Sequence, residues 1–136
     1  MNVLINKKLD LGDSIFGFTE FRYFRVEEMD DEAGFLLLQS EENESVGFIV
    51  VSPFHFYQDY EFKLNDEVIA GLQIEKPDDV AVFTIVTINQ PFSRSTINLV
   101  APIVINIKTG HGRQVILNDT SYLIHSALFP TTEGGI

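Results

Sequence analysis

Cysteine and tryptophan are both absent from this chain of 136 residues. Without a thiol there is no disulfide framework, no thiolate nucleophile, no thiolate-ligated zinc and no cysteine-ligated cluster. Basic side chains are scarce: 9 lysines and arginines against 20 aspartates and glutamates leave a formal net charge of −11. A field of that sign repels phosphate backbones and anionic headgroups, which argues against direct nucleic-acid binding and against a membrane surface. Long apolar runs are missing too. The opening segment MNVLINKKLDLGD has no uninterrupted stretch of signal-peptide length, and no window approaches the roughly 20 apolar residues of a membrane span. A soluble, cytoplasmic protein is the expectation.

What is present is apolar enough to fold. Hydrophobic residues make up 45% of the chain, and a domain of this size removes roughly two thirds of its unfolded surface from water, so one domain over residues 1–128 is expected, followed by a loose tail over 129–136. The acid is unevenly placed. Residues 1–80 hold 18 acidic and 6 basic side chains, net −12, and nine of the twelve phenylalanines, whereas residues 81–136 are nearly neutral.

The pattern along the chain is that of short strands. Val3–Ile5 reads as a first strand, Gly17 as a turn, and the alternation from Phe21 as a strand whose buried face is ambiguous. Phe35–Gln39 and Val46–Val51, separated by the polar SEENES, read as a hairpin. Pro53 suits an edge, a bulge or a strand start. Asn65 or Asp66 caps a short helix carrying Val68, Ile69 and Leu72 on one face. VAVFTIVTI at 80–88 is the strongest strand, apolar on both faces except for its threonines. Thr96–Leu99, Ile103–Ile107 and Gln114–Leu117 complete a set of eight or so strands. The expected class is mostly β: a small antiparallel β-barrel or two-layer β structure with one short helix.

No catalytic constellation stands out. His55, His111 and His125 have no histidine partner at metal-binding spacing. Glu27 and Glu28, Asp30 and Asp31, Glu41 and Glu42, and Asp78 and Asp79 are paired carboxylates, but neighbours on a strand point to opposite faces, whereas glycosidic chemistry needs two carboxylates facing across a sugar-sized cleft. DDEAG lacks EF-hand spacing, KTGHG lacks Walker A spacing, and neither GxGxxG nor GxSxG occurs. No cofactor is expected. Nine phenylalanines with Tyr23, Tyr57 and Tyr60 strain the inward capacity of so small a domain, and exposed rings rimmed by acid describe a groove for a basic or amphipathic protein partner.

Several segments, in order, carry a family resemblance: Ile15–Glu20, FLLLQS at 35–40, FIVVSPFHFYQDYEF at 48–62, VFTIVTI at 82–88, and TINLVAPIVINIKTGHGRQVIL at 96–117 followed by NDTSY. Together they resemble the flagellar assembly factor FliW family over about residues 12–123. The family-like polar and turn positions are Gln39, Ser40, Pro53, Asp59, Tyr60, Glu61, Asn98, Pro102, Asn106, Gln114 and Asp119. Ser52 stands where family members often carry an acid, and Gln58 where they often carry a proline. The resemblance implies a cytoplasmic, non-enzymatic regulator that binds newly made flagellin. When free, it binds the small basic RNA-binding protein CsrA, antagonising it allosterically and relieving repression of flagellin translation.

On this reading the contacts fall on Phe56, Tyr57, Asp59, Tyr60 and Glu61, with Glu27, Glu28, Asp30 and Asp31 as a second set. Asn98 and Asn106, flanking the Pro102 break, are read equally as partner contacts or as side chains satisfying bent backbone. The isolated chain is expected to be monomeric. Two alternatives stay open: a carbohydrate-binding or carbohydrate-acting β domain, which needs a wide cleft with convergent carboxylates or a stacking aromatic, and a structural subunit of a larger assembly.

Overall fold

The computed structural model describes residues 4–29, 34–118 and 121–129. In chain order its strands are β1 (Lys8–Asp10), β2 (Tyr23–Glu28), β3 (Leu36–Ser40), β4 (Gly47–Val51), β5 (Val80–Thr87), β6 (Thr96–Ile97), β7 (Ile103–Asn106), β8 (Gly112–Gln114) and β9 (Ser126–Ala127). One α-helix, α1 (Asp66–Gly71), lies between β4 and β5.

All the strand ladders are antiparallel. β1 to β5 pair in sequence order, and the β3–β4 hairpin sets Leu36 opposite Val50 and Leu38 opposite Phe48. β5 is the branch point. It meets β4 at Thr84 and Ile85, β7 over Val80–Phe83, and β6 at Val86 and Thr87; β7 then carries β8, and β6 carries β9. β1 comes back to the start of β8 through a single bridge, Asp10 to His111, where the Asp10 N–H donates to the Gly110 carbonyl at 2.9 Å. No ladder forms there among the described residues, so the sheet does not close into a barrel and the two-layer form is the one observed. Gly112 sits at this seam because a Cβ there would lie 2.8 Å from both Leu11 Cδ2 and Ile105 Cγ1.

The ambiguous face of β2 is settled by its neighbours. Phe24 and Val26 point inward, opposite Ser40 and Leu38, and join Leu9, Val50, Phe83, Ile103 and Ile105 in the main core. A second core gathers Phe35, Val51, Tyr60, Val86, Ile97, Leu99 and Leu128, and β5 supplies both cores by alternation. The helix forms as expected. Asn65 Oδ1 accepts from the Val68 N–H at 2.8 Å, Asp66 and Glu67 occupy the favourable first turn, and Val68 and Leu72 pack on Val104. Its end is sealed by Gln73, in the left-handed region at φ 55°, and by Asn106, whose side-chain amide donates to the Leu72 and Gln73 carbonyls at 2.8 and 3.2 Å.

Four details differ from the sequence reading. Leu4–Asn6 form a turn, Val3 lies outside the described residues, and the first strand is Lys8–Asp10, where only Leu9 faces fully inward. β6 stops at Ile97 because Asn98 Oδ1 accepts from the Val100 and Ala101 N–H groups, both at 3.1 Å, and turns the chain. β8 is Gly112–Gln114 instead of Gln114–Leu117. Val115 and Leu117 still donate to the Pro102 and Val100 carbonyls, but Pro102 has no N–H to return, and the ladder ends there. Ser126–Ala127 adds a strand that no local pattern announced. Of the expected tail, Phe129 packs on the second core, and 130–136 lie outside the described residues.

Candidate functional site

The aromatic segment after β4 is ordered by its own punctuation. Pro53 starts a short 3₁₀ turn, Pro53–His55, and the Phe56 and Tyr57 N–H groups close onto the Pro53 carbonyl. The turn places Phe54 outward, 42% exposed, and aims the next aromatics inward. Phe56 is half-buried, stacked on Phe35 and edge-on to Phe129. The Tyr57 hydroxyl donates to the Ala127 carbonyl. Tyr60 is buried, and its hydroxyl donates to the Leu99 carbonyl at 2.8 Å. Burial pushes both phenols above the ordinary tyrosine range, so both remain donors. The Glu61 N–H donates to the Tyr122 hydroxyl at 3.0 Å. Three tyrosines thus bind the acidic first part of the chain to its neutral end.

The sites singled out in the sequence are therefore distributed as follows. Asp59 and Glu61 are exposed, whereas the Tyr60 ring spends its surface on Phe54, Phe62 and Tyr122. Glu27 and Glu28 end β2, opposite Leu37 and Leu36, while Asp30, Asp31 and Asp119 lie outside the described residues. Asn106 is buried; besides its two donations to α1, its Oδ1 accepts from the Lys108 N–H at 2.9 Å. Asn98 uses its oxygen in the turn already described. Both asparagines serve the backbone.

The exposed apolar surface that sequence reading missed lies on the other side of Tyr60. A groove of about 710 Å³ runs between the 60–64 segment and the start of β5, floored by Phe54, Leu64, Ile69, Ile74, Val80 and Val82. Its rim carries Glu61, Asp66 and Glu75 together with Lys63 and Lys76. The signal was in β5, because a strand apolar on both faces needs cover on both. Val80 and Val82 point away from the core-facing Phe83 and keep partial exposure.

Carboxylates elsewhere are held singly. Arg22 forms a two-point ion pair with Asp10, at 2.7 and 2.9 Å, and its bond holds the Asp10 carboxyl below the usual range. Glu42 accepts from the Tyr23 and Arg22 N–H groups, which lowers it likewise, and Glu41 pairs with Arg25 at 2.9 Å. Lys108 approaches Asp79 at 3.4 Å. Among the described residues no three histidines or carboxylates are grouped to hold a metal ion, and no helix is long and apolar enough to cross a membrane.

The sequence profile described as FliW protein matches residues 1–128. The chain belongs to the FliW family. The flagellar assembly factor FliW of Clostridium beijerinckii is 41% identical over 127 residues, 93% of this chain and 86% of that protein. FliW of Bacillus subtilis is 40% identical over 122 residues, 90% and 85% of the two chains. A solved structure described as the crystal structure of the flagellar assembly factor FliW superposes with a TM-score of 0.86 at 37% identity, covering 92% of this chain and 87% of the other. FliW membership makes this chain a flagellar assembly factor, and its relatives are named for assembly, not for a reaction.

Proposed function

We infer that this FliW protein binds flagellin in the cytoplasm and, when free of it, binds and antagonises CsrA, relieving repression of flagellin translation. The observation that carries the reading is the apolar groove between Phe54, Ile69, Ile74 and β5, its rim holding three acids to two lysines, in a chain of net charge −11. An amphipathic segment that is unpaired before assembly lays its apolar stripe on such a floor. A small basic RNA-binding protein is drawn by the same negative field, which speeds encounter and sets negative potential where RNA phosphates would approach. Shielding one partner and sequestering the other suits a non-enzymatic protein that is monomeric when alone.

The test uses purified flagellin and CsrA with wild-type protein and a Phe54→Asp variant. Phe54 is exposed, so the variant keeps its fold, while a charge on the groove floor weakens flagellin binding by at least about tenfold. Unchanged flagellin affinity removes the groove assignment. Raising salt from about 0.05 to 0.5 M slows CsrA association if charge steers it, and a constant association rate removes that part.

A further inference from the structure

A second recess lies on the opposite side of the same 61–65 segment, and its construction differs from the apolar groove. Two extended stretches, 61–65 and 115–118, form its walls, enclosing about 400 Å³ with Val68 at the base. In both walls burial alternates residue by residue. Phe62 and Leu64 on one side, and Val115 and Leu117 on the other, are turned partly inward, while Lys63 and Ile116 are exposed. Period-two alternation is the signature of a strand, yet neither stretch is paired with the other.

The backbone explains what is missing. Val115 and Leu117 donate to the Pro102 and Val100 carbonyls, so the N–H of Ile116, between them, points the opposite way, away from the 100–102 segment, and Ile116 lines the recess. On the facing wall the Glu61 N–H is taken by the Tyr122 hydroxyl, and the next N–H on that side belongs to Lys63. Among the described residues the backbone groups of Phe62, Lys63 and Ile116 have no hydrogen-bond partner. Two extended stretches with free backbone donors and acceptors thus line one recess, into which Phe62, Leu64, Val115 and Leu117 are partly turned.

We propose that this slot takes an extended, basic segment of a partner protein, which adds as a strand between 61–65 and 115–118 and lays every second side chain on Phe62, Leu64, Val115 and Leu117. Free backbone edges select a peptide in the β conformation, because only its N–H and C=O groups repeat at the spacing of the walls. The alternating floor selects apolar residues at every second position. Charge selects a basic segment through the whole molecule: the slot's own lip is balanced, with Glu61 beside Lys63, but the chain carries net −11. This site is separate from the groove proposed for flagellin, with which it shares only the 61–65 wall.

The probe is a capped, fluorescently labelled nine-residue peptide that alternates valine with lysine. The control has the same residues in two blocks, so its charge is equal but its pattern does not fit a strand. At about 0.15 M salt the alternating peptide binds at least about tenfold more tightly than the block peptide, the difference expected of a few backbone hydrogen bonds. On binding, the Lys63 and Ile116 amides become protected from hydrogen exchange. Ile116→Pro and Lys63→Pro each remove an N–H that the folded protein does not use, so melting temperature holds while peptide affinity falls about tenfold. Equal binding of the two peptides overturns the proposal, as does binding that leaves both amides exchanging freely. Dimerisation of the protein alone that protects the same two amides would assign the slot to a second copy and equally overturn it.

Discussion

Replacing Asn106 tests whether this asparagine is structural or a contact for partners. Its side chain makes three bonds in a buried position: donations to the Leu72 and Gln73 carbonyls at the end of α1, and acceptance from the Lys108 N–H. Truncation in Asn106→Ala leaves two carbonyls and one N–H to find water or go unpaired. At about 1 kcal/mol for each buried group stranded, with partial rescue by solvent, the variant loses about 2–3 kcal/mol of a total in the range of about 5–15. Asn106→Asp keeps the shape and the acceptor but sets a carboxylate oxygen against two carbonyls. Burial and those carbonyls raise the folded-state pKa of that new acid above its unfolded value of about 3.9. The folded state then binds more protons than the unfolded one, so the destabilisation grows as pH rises past the unfolded value and levels off above the folded one. Urea unfolding followed by far-ultraviolet circular dichroism at pH 4.5 and 7.5 measures both effects. A loss below about 1 kcal/mol in Asn106→Ala, or an Asn106→Asp penalty that is the same at both pH values, refutes the structural assignment.

Further outcomes follow from the same contacts. Tyr60→Phe keeps the ring packing and strands the Leu99 carbonyl, costing about 1–2 kcal/mol by urea unfolding; no change would mean the hydroxyl bond is dispensable. Gly112→Ala drives a methyl to 2.8 Å from Leu11 and Ile105 and costs about 1–3 kcal/mol as the seam is forced apart, again read by urea unfolding. Asp10 and Glu42 titrate below their ordinary values in the folded chain, so their contribution is complete above about pH 5 and is lost as pH falls below about 4. The drop in melting temperature between about pH 5 and about pH 3 is therefore smaller in Asp10→Asn than in the wild type.

The sequence showed elements wherever one residue's preference was reinforced by its neighbours. The β3–β4 hairpin, the Asn65-capped helix and β5 combine pattern, cap and flanking turns, and each is found where those signals place it. The elements that escaped are those made by distant partners. β9 is two residues held by β6, and β1 has one inward side chain and depends on β2 and Gly110. β8 was misplaced because the ladder's limit is set by Pro102, twelve residues from Gln114, whose missing donor has no local trace in 114–117. Within the candidate site, the aromatic segment at 54–62 was legible as a cluster. Which rings point outward was not, because the Pro53 turn and the carbonyls of Leu99 and Ala127 decide it. Tyr60 was expected among the partner contacts, whereas its hydroxyl's acceptor, the Leu99 carbonyl, holds it in the core.

The tyrosine arrangement also gives the molecule its own optical reporter. With no tryptophan, all intrinsic fluorescence comes from four tyrosines, and three of them, Tyr57, Tyr60 and Tyr122, converge where the 57–61 segment meets the end of the chain. Tyr23 alone sits elsewhere, on β2. Emission near the tyrosine band therefore reads chiefly one place, the junction of the 57–61 segment with the end of the chain, and an unlabelled partner lacking tyrosine and tryptophan that settles there announces itself in the protein's own light.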